Sequence, residues 1–556
     1  MAKKFVCAAC LFAVFFNRPV PAPSQYLSAT VRKALAHISA GSLYQHLAFL
    51  GSDSLEGRGT GTRGGEIAAA YLASELRKCG IKPAGDGDSY FQQIPLHGSK
   101  PLASSSFQFF TPSGQFQLVL TRDYLLYSTG AQTFIPNPAP LMFVGYGITA
   151  PEFAYNDYQA LNVEGKIVVF LSGEPASADP SYFDGAQPTL HSLPEIKQKI
   201  ALARGAAGSI MIPAPQSGPD GDWRYWQQEF AFEDVGLLYF VAGNLSVVMN
   251  PQAAQRLFKD APYSLQQIFA MAATNSLRSF QLPILATFRG SFQQRDFLAA
   301  NVIGRLEGSD PELKNSCVVI SAHYDHLGIG PPIKADSIYN GVFDNAAGVA
   351  AVLEMAKAFA AMPEKPKRSL IFLFTTGEEK GLLGSTYYVE NPVVPLYKTM
   401  ANVNVDGLAM FDTFNDIVGV GAELSTLGGL LQQVARELDL SVSAIPAPFA
   451  SSPAFARSDQ ISFAKAGIPA LLIMEGLNYR NTPREKGLRR MIEWGRRIYH
   501  TPFDDLAQSI NMAAAQQHGQ ILFAFCCMLA NVDAAPQWKK ETPYINARLQ
   551  SVAEKR

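Results

Sequence analysis

The sequence predicts an α/β protein: a mixed, mostly parallel sheet with helices on both faces, into which a second, β-rich unit is inserted. Three observations carry this. From Asn301 onward, short apolar runs alternate with helix-like segments, the pattern of a sheet covered on both sides. The runs at 318–320 and 370–374 are continuous stretches of β-branched, leucine and aromatic residues, as strands buried on both faces require. Between 130 and 285 the texture changes to short strands and turns, poor in residues of catalytic type. His191 is the only histidine there between His97 and His323.

Taken in order, residues 1–24 read as a secretory leader. A basic start at Lys3 and Lys4 precedes an apolar run over 5–16 and a polar, Pro-rich stretch, the order of a signal peptide. An exported chain, periplasmic or secreted, is therefore expected. The run before Cys10 is too short for a lipidation signal. Residues 25–129 are expected to form the N-terminal part of the catalytic unit. Within them, 30–38 and 42–50 are helix-like, and EIAAAYLASELRKCG is an amphipathic helix stopped by Gly80. The Gly-rich SDSLEGRGTGTRGG before it lacks the GxxxxGK pattern of a phosphate cradle, so Arg58 and Arg63 are expected to anchor a surface turn. SFQFFTPSGQFQLVL reads as a hairpin turning at Pro112-Ser113-Gly114.

The second unit is expected over 130–285, with VGLLYFVAG among its strands and DWRYWQQEF as a loop that could line a substrate cleft but is expected first to pack within its own unit. The catalytic unit resumes over 286–535, and 536–556 reads as a polar, loosely held tail.

Composition narrows the function classes. A chain of 556 residues with 48% hydrophobic and 17% charged residues can build more than one large core. Its net charge of −1 supplies no field for nucleic acid or an anionic membrane. No internal run has the length of a membrane span. Beyond the leader, Cys79, Cys317, Cys526 and Cys527 read as buried free thiols.

Residues of metal-binding and acid–base type sit at the edges of the apolar runs. In order they are His323, Asp325, Asp344, Glu378, Glu379, Asp406 and His500. Two imidazoles with several carboxylates and no thiolate suit a divalent ion such as zinc. The set exceeds the needs of one ion. Two ions sharing a carboxylate would use it, holding a water between them and stabilising a developing oxyanion. Glu378 and Glu379, being adjacent, point different ways, so one can bind metal while the other faces substrate. Asp325, two residues from His323, is placed to orient its imidazole. An isolated His-x-Asp or Glu-Glu is ordinarily structural; five segments ending strands or opening helices this way are not a chance assembly. His326 and His518 lack such a context and stay outside the set.

SAHYDHLG, GVFDNAAGVA, TTGEEKGLLGS, NVNVDGLAM, SDQISFAKAGIPALLI and YHTPFDDL resemble, in order and spacing, the di-zinc exopeptidase family of bacterial leucine-type aminopeptidases, aminopeptidase Y and glutamate carboxypeptidases. LEGRGTGTRGGEIAAAYLASELRKCGIKPAGD resembles the N-terminal part of that peptidase fold. APLMFVGYGITAPEFAYNDY through GSIMIPAP resembles the protease-associated domain inserted in many members. The resemblance implies two Zn2+ ions: His323 and Asp406 on one, Glu379 and His500 on the other, and Asp344 between them. Glu378 would be the general base and Asp325 the residue orienting His323. The family often has a second acidic residue just before the bridging Asp; here it is Phe343.

The resemblance implies a peptide substrate with a free N-terminus and no nucleic-acid partner; it leaves the oligomeric state open. A carboxypeptidase would need an Arg for the terminal carboxylate, and GLNYRNTPREKGLRRMIEWGRRIYH offers several, though charge runs are ordinarily solvated faces. Glutaminyl cyclases share the fold with one zinc, and a receptor-like ectodomain could keep it without activity. The complete ligand set and Glu378 argue against both. Aminopeptidase is the first expectation.

Overall fold

The structure is a computed structural model describing residues 27–126, 133–179, 181–185, 188–215, 217, 221–240, 244–450 and 454–554. The leader expected over 1–24 lies outside the described residues. Two large sheets organise the chain.

The first sheet runs in the order Asp234–Leu237, Phe91–Pro101, Phe292–Leu306, Ser369–Thr375, Cys317–His323, Thr399–Asn404, Ala470–Glu475, Asp416–Val420, Ser441–Val442. Ser369–Thr375, Cys317–His323, Thr399–Asn404 and Ala470–Glu475 are parallel neighbours at its centre. Antiparallel pairs flank them on both sides.

Side-chain alternation along these strands feeds two cores. Val318, Ile320, Leu370, Phe372 and Phe374 join the core shared with helices Ala347–Ala361 and Met512–Asn531. Val319, Ile371 and Leu373 face the other way, toward Tyr388 and Phe463 of helices Leu383–Glu390 and Gln460–Lys465. Each large apolar side chain removed from water contributes about 1.5–3 kcal/mol. This two-sided burial fixes where the strand ends lie.

The second sheet takes Gly114–Leu118, Ser106–Thr111, Phe280–Arg289, Phe134–Phe143, Ile167–Leu171, Gly208–Ile212, Leu245–Met249 and Tyr124–Leu126, in that order. It begins earlier than the boundary at 130 expected from the sequence. The hairpin at 106–118 pairs with Phe280–Arg289 of this sheet, burying Phe107 and Phe109 against Phe288. In the opposite sense, Asp234–Leu237, expected within the insert, pairs with Phe91–Pro101 and extends the first sheet. DWRYWQQEF is not a loop but holds the helix Trp223–Glu229, capped by the Asp222 side chain. Its Trp226 is buried with Val168, Phe170, Met211 and Val248 of the second sheet. The tail is also held: Trp538 is buried and donates from Nε1 to the Gly467 carbonyl at 2.9 Å, and Ile545–Ala553 is helical.

Helix Arg63–Lys78 packs tightly on the preceding loop. A Cβ at Gly64 would lie 1.7 Å from the Leu55 carbonyl oxygen, so only glycine permits this approach. Arg58 departs most from expectation. It is fully buried, donating to the carbonyls of Tyr324 (2.8 Å), Leu50 and Asn340 (2.6 Å each) and Gly341 (2.8 Å). Burial lowers its pKa to about 10, which leaves it charged at neutral pH. Arg63, by contrast, is exposed. Arg58→Met would strand those carbonyls and is expected to cost about 3–5 kcal/mol. Urea unfolding checks this; a change below about 1 kcal/mol would show the loop holds without the guanidinium.

Candidate metal centre

Parallel neighbours bring their carboxyl ends together, and the ligand-type residues lie there, as in other α/β sheets. His323 closes the strand Cys317–His323, Glu378 and Glu379 follow Ser369–Thr375, and Asp406 follows Thr399–Asn404. Asp344 lies in the turn before helix Ala347–Ala361, and His500 follows helix Arg484–Arg497.

Asp344 faces both histidines. Its Oδ1 is 3.2 Å from His323 Nε2 and its Oδ2 is 3.3 Å from His500 Nε2. Asp406 Oδ1 stands 3.3 Å from His323 Nε2, and Glu379 Oε2 stands 3.1 Å from His500 Nε2. Candidate donor atoms of His323, Asp344 and Asp406 all lie within 4.8 Å of one another, as do those of His323, Glu378 and Glu379. The seven residues singled out from the sequence thus meet in one place.

Asp325 acts differently from the expectation. His323 Nδ1 is 3.2 Å from the main-chain oxygen of Asp325, whose carboxylate is farther, at 3.9 Å. That carboxylate instead accepts from Thr60 Oγ1 (2.9 Å) and from the backbone N–H of Glu378 (3.2 Å). The carbonyl orients the imidazole, and the side chain fixes the start of the Glu-Glu turn.

The electrostatics separate the carboxylates. Burial alone would raise all of them. The adjacent His323 and His500 imidazoles outweigh it at Asp344, whose pKa falls well below the usual range. His500 and His326 do the same for Glu379, which is lowered to about 2. At Glu378 burial prevails, reinforced by Glu379, Asp406 and Asp459 against the opposing His323, and its pKa rises well above the usual range. One carboxyl therefore favours a proton amid others that favour ionisation, the division that acid–base chemistry uses.

The residues fit a pair of divalent ions. His500 Nε2 is buried without a hydrogen-bond partner while facing two carboxylates, as a lone pair awaiting a cation would be. So many buried carboxylates need a compensating charge, and imidazole with carboxylate is a donor set suited to zinc.

Four further residues belong to this site. His326, set aside at first, has its Nδ1 2.6 Å from Glu379 Oε1; its place in the same short loop as His323 was the available signal. Asp504 accepts from the backbone N–H groups of Phe343 (2.9 Å) and Asp344 (3.0 Å), and the signal was its position in YHTPFDD. Asp459 is fully buried and hydrogen-bonded to Thr375. Glu229, from the distant helix Trp223–Glu229, reaches His500 Nδ1 at 2.8 Å, and nothing local in the sequence announced it. His518 is a core histidine, accepting from Ala409 N–H (2.9 Å) and pairing with the Ile473 carbonyl (3.0 Å).

Fold and centre together define a mixed α/β protein with an imidazole–carboxylate site at the ends of parallel strands. Residues 301–526 match the family model of peptidase family M28. Among curated relatives, leupeptin-inactivating enzyme 1 of Streptomyces exfoliatus is 26% identical over 42% of this chain and 50% of its own. Probable leucine aminopeptidase 2 of Aspergillus fumigatus is 31% identical over 31% of this chain and 32% of its own. The chain thus spans half or less of these relatives' length. A solved aminopeptidase from Aneurinibacillus sp. strain AM-1 shares the fold over 89% of this chain and 95% of its own, at 18% identity and a TM-score of 0.53.

Proposed function

We propose that the chain is a zinc-dependent aminopeptidase that releases N-terminal residues from peptides, using two Zn2+ ions. The observation that carries this is Asp344, which turns one oxygen to His323 and the other to His500. His323 and Asp406 would hold one ion, His500 and Glu379 the other, with Asp344 between. Bound there, such ions would supply a lowered water pKa and polarisation of a scissile carbonyl.

The chain's own residues do the rest. Glu378, half-buried in the same donor cluster as His323 and Glu379, would take a proton from the attacking water and deliver it to the leaving amine. Asp325 holds the backbone of Glu378 and the ring of His323. Asp504 and Arg58 fix the loop that carries Asp344. We read residues 106–289, apart from the strand Asp234–Leu237 that joins the first sheet, as the inserted protease-associated domain.

Two observations favour an aminopeptidase over a carboxypeptidase. A relative 31% identical over 31% of this chain carries the name probable leucine aminopeptidase 2. And Arg484, Arg489, Arg496 and Arg497 are exposed on their helix, while Arg490 lies over the Phe411 ring at 4.4 Å. Aminoacyl-anilides with free amines are expected to be cleaved, with activity lost to chelator and restored by Zn2+. N-acetylated anilides are expected to resist. Cleavage confined to N-blocked dipeptides would reassign the enzyme as a carboxypeptidase.

A further inference from the structure

The two histidines facing Asp344 are oriented by different means. His323 is steadied from its own loop, by the Asp325 carbonyl. His500 has no such local support. Its backbone is left-handed, with φ +55, a region non-glycine residues rarely occupy. Its ring stacks on Tyr499 at 3.8 Å. The acceptor at Nδ1 is Glu229 Oε1, at 2.8 Å and 271 residues away in sequence.

Glu229 ends the helix Trp223–Glu229, whose Trp226 is buried in the insert. The chain that follows is tied to the catalytic sheet at successive points. The Phe232 ring meets Tyr339 edge-on at 5.0 Å and lies 5.3 Å from Lys380 Nζ. Glu233 pairs with Arg295 at 2.6 Å, and Arg295 also donates to the Gly61 carbonyl at 3.0 Å. Asp234–Leu237 then joins the sheet edge beside Phe91–Pro101. Glu229 is therefore held over the centre from both sides.

An imidazole that binds metal through Nε2 must keep its proton on Nδ1. A carboxylate acceptor there fixes the tautomer, sets the ring plane and raises the basicity of Nε2. We propose that Glu229 is the positioning residue for His500, so that the insert completes one half of the metal centre while the His323 half is complete without it. This rests on the reading of the centre as a two-ion site. The insert is then more than a neighbour of the active site: its seating on the catalytic sheet governs how firmly the second ion is held.

The test is Co2+ titration of the metal-stripped full chain, read by bound equivalents and by the visible absorption of each ion. Wild type is expected to take two equivalents. Glu229→Ala is expected to bind one as before and the other about 10–100-fold more weakly. Glu229→Gln retains an amide oxygen that accepts from Nδ1–H, and is expected to recover most of that loss. Unfolding midpoints of the metal-free proteins are expected to coincide. Two wild-type equivalents in Glu229→Ala would overturn the proposal. So would equal weakening of both sites with Gln no better than Ala, since that pattern is structural. Failure of the wild type itself to take two equivalents would instead sink the two-ion reading on which the proposal rests.

Discussion

Glu378→Gln is expected to keep both metal ions and lose roughly 10²–10⁴-fold in turnover, the usual contribution of a positioned general acid–base group. The reasoning starts from placement. Glu378 follows the strand Ser369–Thr375 and lies within the same donor cluster as His323 and Glu379. Its backbone N–H is held by the Asp325 carboxylate at 3.2 Å. Gln has the same shape and preserves that backbone contact, but it cannot accept a proton and pass it on. KM should change little, because the substrate's contacts are otherwise unaltered. Metal content and kcat on a free aminoacyl-anilide check this together. Near-normal turnover by a fully loaded variant would remove Glu378 from its role as base.

Asp344→Ala is expected to have the largest effect on metal binding. Each histidine faces one of its oxygens, at 3.2 and 3.3 Å, so in the proposed two-ion arrangement both halves of the centre would lose a ligand at once. The affinity loss should exceed the about 10–100-fold that follows removal of an outer partner such as Glu229. Activity should fall with occupancy. The two variants separate the roles cleanly: one loses chemistry with metal in place, the other loses metal and chemistry together. Asp344→Asn should fall between wild type and Ala, because its amide offers an oxygen to one side only. Two tightly bound ions in Asp344→Ala would mean that the remaining carboxylates and imidazoles hold them without a shared ligand.

Much of the centre was legible in the sequence for a simple reason. Strands buried on both faces write themselves as unbroken apolar runs, and polar residues at their ends stand out against them. His323, Glu378, Glu379 and Asp406 were all found by that contrast. Asp344 and His500 lack a flanking strand and were found through the motifs around them. The amphipathic helix ending before Gly80 and the hairpin at 106–118 were equally plain, since their periodicity and turn residues are local.

Other features depended on distant partners. Arg58 reads as a surface residue in a Gly-rich loop, and only its four carbonyl acceptors make it a core residue. The strand at 234–237 reads as part of the insert, and only its pairing with Phe91–Pro101 assigns it to the catalytic sheet. Within the loop after Cys317–His323, the sequence singled out His323 and Asp325 but not His326. That the Asp325 carbonyl, rather than its carboxylate, steadies His323 could not be read from spacing, because both lie at the same position in the chain.

The sequence alone determined the fold class, the residue types of the centre and their order along the chain. These follow from local periodicity and from which side chains can hold a divalent ion. Tertiary structure decided which of those side chains face one another and which supporting groups hold them. Glu229 is the clearest instance: a hydrogen bond spanning 271 residues is set by how two sheets pack, and packing is a property of the whole chain rather than of any segment of it.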